Sequence, residues 1–141
     1  MKYVLDSSVG FKWLVTEPLS DKAELLRQDY QNGIHELVSP DVFPVEVTHA
    51  LTRAERQGRI TSVEGAKLYM DLMTSLPRLC PYLSFLPRAY EISSQMRVGV
   101  YDCLYVAVAE QEKCDLITAD DKMIKNLQGQ FPFIKHLSTL P

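Results

Sequence analysis

Four apolar runs of strand or helix-start length each carry an acidic residue at or near their end. They are Lys2-Tyr-Val-Leu-Asp6, Phe43-Pro-Val-Glu46, Val100-Tyr-Asp102 and Leu116-Ile-Thr-Ala-Asp120. Runs of this kind pack into a core, where a carboxylate is scarce unless it is paired or bound to a cation, because desolvating a charge costs several kcal/mol. Four such residues at element ends restrict the chain to folds that gather element ends in one place.

The rest of the sequence supplies such a fold. Lys2 to Leu5, Leu37 to Ser39 and Asp115 to Thr118 read as short strands, Leu79 to Phe85 holds another interrupted by Pro81, and Phe133 to Leu137 reads as a last one. Between them lie helical windows from Ser7 to Val15, from Ser20 to Gly33, from Pro40-Asp41 to Gly58, from Thr61 to Leu76, from Pro87 to Met96, from Tyr101 to Glu112, and a short one from Asp120-Asp121. Thr61-Ser-Val-Glu64 is a capping box, the clearest helix start in the chain. Strands alternating with helices predict an α/β fold, a mostly parallel sheet of four to five short strands covered by helices on both faces. With 141 residues, 46% of them hydrophobic, and no repeats, low-complexity tracts or linkers, residues 1–141 are expected to form a single domain.

Composition narrows the function. Cys80, Cys103 and Cys114 are odd in number and lack C-x-x-C spacing, which argues against a disulfide framework or zinc site and for a reducing compartment. No signal-peptide pattern opens the sequence and no window approaches 18 apolar residues, so a cytoplasmic location is expected. A net charge of −3 does not advertise nucleic-acid binding, yet setting four of the 18 acids against a cation leaves 14 facing 15 basic residues.

In open parallel sheets ligands bind outside the carboxyl ends of strands, where Asp6 and Asp120 are expected; Glu46 and Asp102, near helix starts, can face the same crevice. Converging carboxylates raise one another's pKa, and a divalent cation removes the conflict. An oxygen-only ligand set selects Mg²⁺ or Mn²⁺ over zinc. Such a site suits phosphodiester hydrolysis by water, with one ion or two. No Ser-His-Asp order, activated cysteine or Gly-rich phosphate loop competes. Taken singly, Asp6, Asp102 and Asp120 read more readily as helix caps than as ligands. Glu46, between Val45 and Val47 on the apolar side of a helix, does not, and the four together favour a metal site.

Val4-Leu-Asp6-Ser-Ser-Val9, Pro44-Val-Glu46-Val, Tyr101-Asp-Cys-Leu-Tyr105-Val-Ala and Leu116-Ile-Thr-Ala-Asp120 occur in the order and at the spacing of one family. The chain resembles the PIN-domain proteins, and among them the VapC-like ribonuclease toxins of toxin–antitoxin pairs. The resemblance implies a PIN-like fold and a metal-dependent endoribonuclease acting on RNA. Asp6, Glu46, Asp102 and Asp120 would hold Mg²⁺ or Mn²⁺ as the catalytic quartet, with Ser8 and Thr118 as supporting hydroxyls. Asp121 adds a neighbouring carboxylate, and the sequence leaves open which of Asp120 and Asp121 faces inward. The stripe Leu68, Tyr69, Leu72, Met73 and Leu76, joined by Val9, Trp13 and Leu14, reads by itself as ordinary core; the resemblance implies instead a homodimer face and a groove for a cognate antitoxin.

Other readings were available. Arg53, Arg56 and Arg59 either form a solvated helix face with Glu55 or, for Arg53 and Arg56 especially, position RNA phosphates. Tyr101 and Tyr105 stack bases or, at i,i+4, fill core and rim. Glu46 and His49 form one E-x-x-H pair, but a di-iron bundle needs two. A PIN nuclease without antitoxin, or a non-catalytic Mg²⁺-binding module, are the alternatives in function. A receiver-type signalling domain is disfavoured because Ser7-Ser8, not a second acid, follows Asp6.

Overall fold

The computed structural model describes residues 1–141. Five strands form one sheet: β1 (Lys2–Leu5), β2 (Glu36–Pro40), β3 (Arg78–Cys80), β4 (Asp115–Thr118) and β5 (Ile134–His136), in the spatial order β3-β2-β1-β4-β5. Every neighbouring pair is parallel, so the sheet expected to be mostly parallel is entirely so. Seven helices connect the strands: α1 (Ser7–Leu14), α2 (Ser20–Gln31), α3 (Phe43–Arg56), α4 (Ser62–Met73), α5 (Leu86–Met96), α6 (Val100–Glu112) and α7 (Asp121–Leu127). The crossovers through α1–α2 and α3–α4 step outward from β1 to β3, whereas α5–α6 returns past β2 and β1 to β4. Right-handed connections therefore put these two sets of helices on opposite faces. Packing agrees, with α6 lying on β1, β2 and β4 and pairing with α5, while α1 packs on α2 and α3.

The central strands are apolar because both faces are covered. Val4, Leu5, Leu37, Val38, Leu116 and Ile117 have no exposed surface, and α6 contributes an unbroken buried run from Cys103 to Ala109. Gly10 sets how closely α1 meets α3. A methyl group there would lie 2.5 Å from Phe43 Cζ and 3.3 Å from Val47 Cγ2, so only glycine admits this approach. The capping box at Thr61 forms as read, Thr61 Oγ1 accepting from the Glu64 amide and Glu64 Oε1 from the Thr61 amide.

α4 ends at Met73, three residues short of the expected Leu76, and two boundaries at prolines also differ from expectation. Pro40 closes β2 rather than opening α3, and the helix begins at Phe43 with Pro44 in its first turn, where a missing amide hydrogen costs nothing. Asp41 is held in the turn between β2 and α3 instead, its amide donating to Cys80 O and its carboxylate accepting from the Tyr82 amide. β3 then stops at Cys80 because Pro81 cannot continue the ladder, and Tyr82–Ser84 makes a 3₁₀ turn in place of more strand. The proposed partner stripe is also split. Val9, Trp13 and Leu14 lie in the core, Trp13 donating from its indole to Ala23 O, and Leu72 is fully buried; Tyr69 and Met73 remain exposed.

Candidate active site

The sheet reverses direction of connection between β1 and β4, whose following helices leave toward opposite faces. This switch point opens a crevice at the carboxyl ends of the two strands. Leu5 pairs with Ile117, so the next residues, Asp6 and Thr118, stand side by side. The Asp6 amide continues the ladder to Ile117 O at 3.0 Å.

Asp6 is 4% exposed and caps α1. Its Oδ2 accepts from Ser8 Oγ at 2.5 Å, Thr118 Oγ1 at 2.9 Å and the Ser8 amide at 3.4 Å. Both hydroxyls are polarised in one sense. Ser8 Oγ accepts from the Ala119 amide at 2.9 Å and Thr118 Oγ1 from the Asp120 amide at 3.0 Å. Each hydroxyl proton is thereby committed to Asp6, and the other Asp6 oxygen has no protein donor.

The same economy holds for the other three acids. On α3, Glu46 Oε1 accepts from the Tyr105 hydroxyl at 2.6 Å. Asp120 caps α7, its Oδ1 accepting from the Lys122 amide at 2.9 Å. Asp102, in the first turn of α6, has no hydrogen bond or ion pair to offset its burial. All four line one pocket with Ser7, Ser8, Phe11, Lys12, Glu17, Ala50 and Ala119.

Burial and mutual repulsion disfavour the charged forms of Asp6, Glu46 and Asp102. Burial, then Asp6, Asp120 and Glu46, push the Asp102 carboxyl up to about 7. Burial raises Asp6, with Asp120 adding and the Ser8 and Thr118 hydroxyls opposing. Glu46 is raised by burial and by Asp6, against the Tyr105 bond. The Tyr105 phenol is fully buried and pushed well above its ordinary range by burial and by the two acids, so it stays a donor.

This donor set fits a hard divalent cation: it is all oxygen, every member leaves at least one oxygen free of protein donors, and the charges oppose one another. No three of the acids form a compact ligand cluster by themselves. Like charges in a shared pocket have no reason to close together without a counter-charge.

Asp6, Ser8, Glu46, Asp102 and Asp120 thus meet at one place, with Thr118 directly behind Asp6. Asp121 does not join them. It points to solvent and pairs with His136 Nε2 at 3.1 Å, because capping by Asp120 turns the next side chain outward. Arg53 and Arg56 are exposed on the last turns of α3, outside the pocket wall; Arg56 reaches Thr52 Oγ1. Tyr105, read from the sequence as base-stacking or as core and rim, is core and hydrogen-bonds to Glu46. Two wall residues, Lys12 and Glu17, carried no signal in the sequence. Lys12 and Glu17 pair at 3.2 Å, and Glu17 also holds Arg59 at 3.0 Å, so this flank of the pocket is a bridged pair of cations.

The PIN domain family model matches residues 3–128. The chain belongs to the PIN-domain family. Ribonuclease VapC3 of Pyrobaculum aerophilum is 30% identical to this PIN protein over 134 residues, 94% of this chain and 96% of that one. Ribonuclease VapC9 of Mycobacterium tuberculosis is 27% identical over 93 residues, 66% of this chain and 72% of that one. In shape, the crystal structure of PAE2754 from Pyrobaculum aerophilum covers 99% of this chain and 94% of its own with a TM-score of 0.67 at 17% identity. VapBC2 from Rickettsia felis, bound to a DNA fragment from their promoter, gives a TM-score of 0.62 at 13% identity, covering 96% and 97%. These two likenesses concern the PIN fold.

Proposed function

We propose that the 141 residues act as one PIN domain, a divalent-metal-dependent endoribonuclease that serves as the toxin of a toxin–antitoxin pair in the cytoplasm. The observation that carries the reading is the pocket itself: four carboxylates from four elements, each with an oxygen left free, in a chain related to VapC ribonucleases. Asp6, Glu46, Asp102 and Asp120 are the residues that would hold Mg²⁺ or Mn²⁺. When bound, such an ion supplies Lewis-acid polarisation of the phosphoryl oxygen and a more acidic water.

The chain's own side chains do the positioning. Ser8 and Thr118 fix one face of Asp6 so that its second oxygen has a single orientation. Tyr105 does the same for Glu46. Asp102 has no protein hydrogen bond, so both of its oxygens are left for the cation, whose charge would offset the burial and the neighbouring acids that raise its carboxyl in the metal-free protein. Tyr105→Phe keeps the ring and removes only the bond to Glu46. It is expected to lower cleavage about 10–100-fold, the usual effect of losing a group that orients a ligand, with a melting temperature near wild type in thermal denaturation.

RNA is the substrate in this reading, and Arg53 and Arg56 would contact its phosphates away from the pocket. Replacing both by Ala is expected to flatten the dependence of log binding constant on log salt by about 0.7 per lost contact. An unchanged slope in a salt titration of RNA binding removes them from the interface. The relatives named VapC and the VapBC2 neighbour support an antitoxin partner. The exposed Val63, Tyr69, Met70 and Met73 of α4 support a face for a second copy, giving a homodimer. Light scattering after size exclusion reads the oligomeric state.

The test of the function is cleavage of a mixed RNA pool with Mg²⁺ or Mn²⁺ and with EDTA. Cutting that requires the ion is expected. Cutting that EDTA leaves untouched, or no cutting with either ion, overturns the reading.

A further inference from the structure

The two flanks of the acidic pocket differ in chemistry. One carries Lys12 and Arg59, bridged by Glu17. Across Glu46, a second groove shares Ser7 and Glu46 with the pocket and is otherwise lined by Val45, His49 and Tyr101. No lysine, arginine or further acid lines it. Tyr101 is 58% exposed and Val45 68% exposed, so the fold makes little use of either side chain. Tyr101 is also the residue before Asp102, on the rigid first turn of α6, four positions from the buried Tyr105.

An RNA strand that sets one phosphodiester among the acids must lay its adjoining nucleosides on these flanks. The cationic flank suits a phosphate. The uncharged aromatic flank does not, but it suits a base: every nucleobase has a face that stacks on tyrosine, and single-stranded RNA is read by aromatic stacking combined with polar contacts to base edges. Accepting the ribonuclease reading, we propose that Tyr101 and His49 form a nucleobase subsite for an unpaired base adjoining the scissile phosphate. Tyr101 supplies the stacking face and the His49 ring the polar contact to the base edge. Continuity with the acidic pocket fixes the occupant, since any base entering this groove is one nucleoside away from the reacting phosphate. The subsite selects single-stranded over paired RNA, because a paired base is not free to stack there. Whatever base preference the enzyme has at this position comes from His49, stacking being tolerant of sequence.

The test uses fluorescence anisotropy with a short labelled single-stranded RNA and an abasic ribose-phosphate chain of equal length. Asp6→Asn protein in Mg²⁺ serves as the uncutting background. That protein is expected to prefer the RNA by about tenfold, within what one stacked base contributes. Adding Tyr101→Ala should erase the preference and Tyr101→Phe should keep it, with melting temperatures unchanged because the residue is exposed. In the otherwise wild-type enzyme, His49→Ala should change the bases found at product ends. A preference for the RNA over the abasic chain that survives Tyr101→Ala overturns the subsite. So does conversion of a dimer to monomers by Tyr101→Ala, which would make the groove an interface between copies. Metal-dependent cutting by the wild type is read separately, so a failed subsite and a failed ribonuclease reading give different results.

Discussion

Asp6→Asn is expected to reduce RNA cleavage more than a hundredfold while leaving the protein folded. The magnitude follows from position: losing a group that only orients a ligand costs about 10–100-fold, and Asp6 is proposed as a ligand itself. The fold should survive for local reasons. Asp6 caps α1, and asparagine is among the best N-cap residues. An Asn carbonyl oxygen can accept the same two protons from Ser8 and Thr118 that Asp6 Oδ2 accepts now. Burial is also the main force raising the Asp6 carboxyl, so a neutral side chain relieves a penalty, and the melting temperature should hold or rise. Asp6→Ala separates the two roles. It loses the cap, about 1 kcal/mol, and leaves the half-buried Ser8 and buried Thr118 hydroxyls without their acceptor, so it should lose both activity and stability. RNA gel assays beside thermal melts decide the matter. Cleavage by Asp6→Asn within tenfold of wild type would remove Asp6 from the chemistry.

The fold was readable because its determinants are local. Strand runs such as Lys2–Leu5 and Asp115–Thr118, and the Thr61 capping box, announce themselves within a few residues. Alternation of such runs with helices leaves a covered parallel sheet as the natural arrangement. Two of the misplaced boundaries, at Pro40 and Pro81, are places where a proline is compatible with more than one element. There the outcome was set by partners far along the chain, β3 and Tyr82 in the case of Asp41.

Gathering of the four acids was readable for a related reason: strand and helix ends are recognisable, and parallel sheets bring carboxyl ends together. What holds the acids was not. Tyr105 and Glu46 are 59 positions apart, and nothing in either segment names the other. The Thr118 bond to Asp6 depends on the register of β1 against β4, which one residue of slip would destroy. Asp120 and Asp121 are chemically identical neighbours. Only the capping geometry of α7 sends one to the pocket and the other to His136. The α4 stripe misled in part because periodicity identifies an apolar face without saying how much of it the fold covers.

Asp102→Asn should do something a structural residue would not: stabilise the metal-free protein while abolishing cleavage. In the unfolded chain this carboxyl titrates near 3.8, and in the folded protein at about 7. Between those values the native state holds a proton that the unfolded state has released. Stability therefore falls as pH rises, by at most about 1.4 kcal/mol per pH unit from this group. The contribution is complete below the lower value and gone above the upper one. Residual solvent contact makes the true slope smaller. Asp6 and Glu46, also raised by burial, add slopes of the same sign. Asparagine has no proton to lose, so the variant's melting temperature should exceed wild type's by a few degrees near pH 8, at about 2–4 °C per kcal/mol. The two should converge toward pH 4. Added Mg²⁺ or Mn²⁺ should narrow the gap from the other side, because a cation that binds only the native state raises wild type more than the variant. Thermal melts across pH with EDTA, then with the ion, measure both effects. A variant less stable than wild type near pH 8, or a pH dependence that the substitution leaves intact, would mean that burial and the neighbouring acids do not hold the Asp102 carboxyl raised in solution.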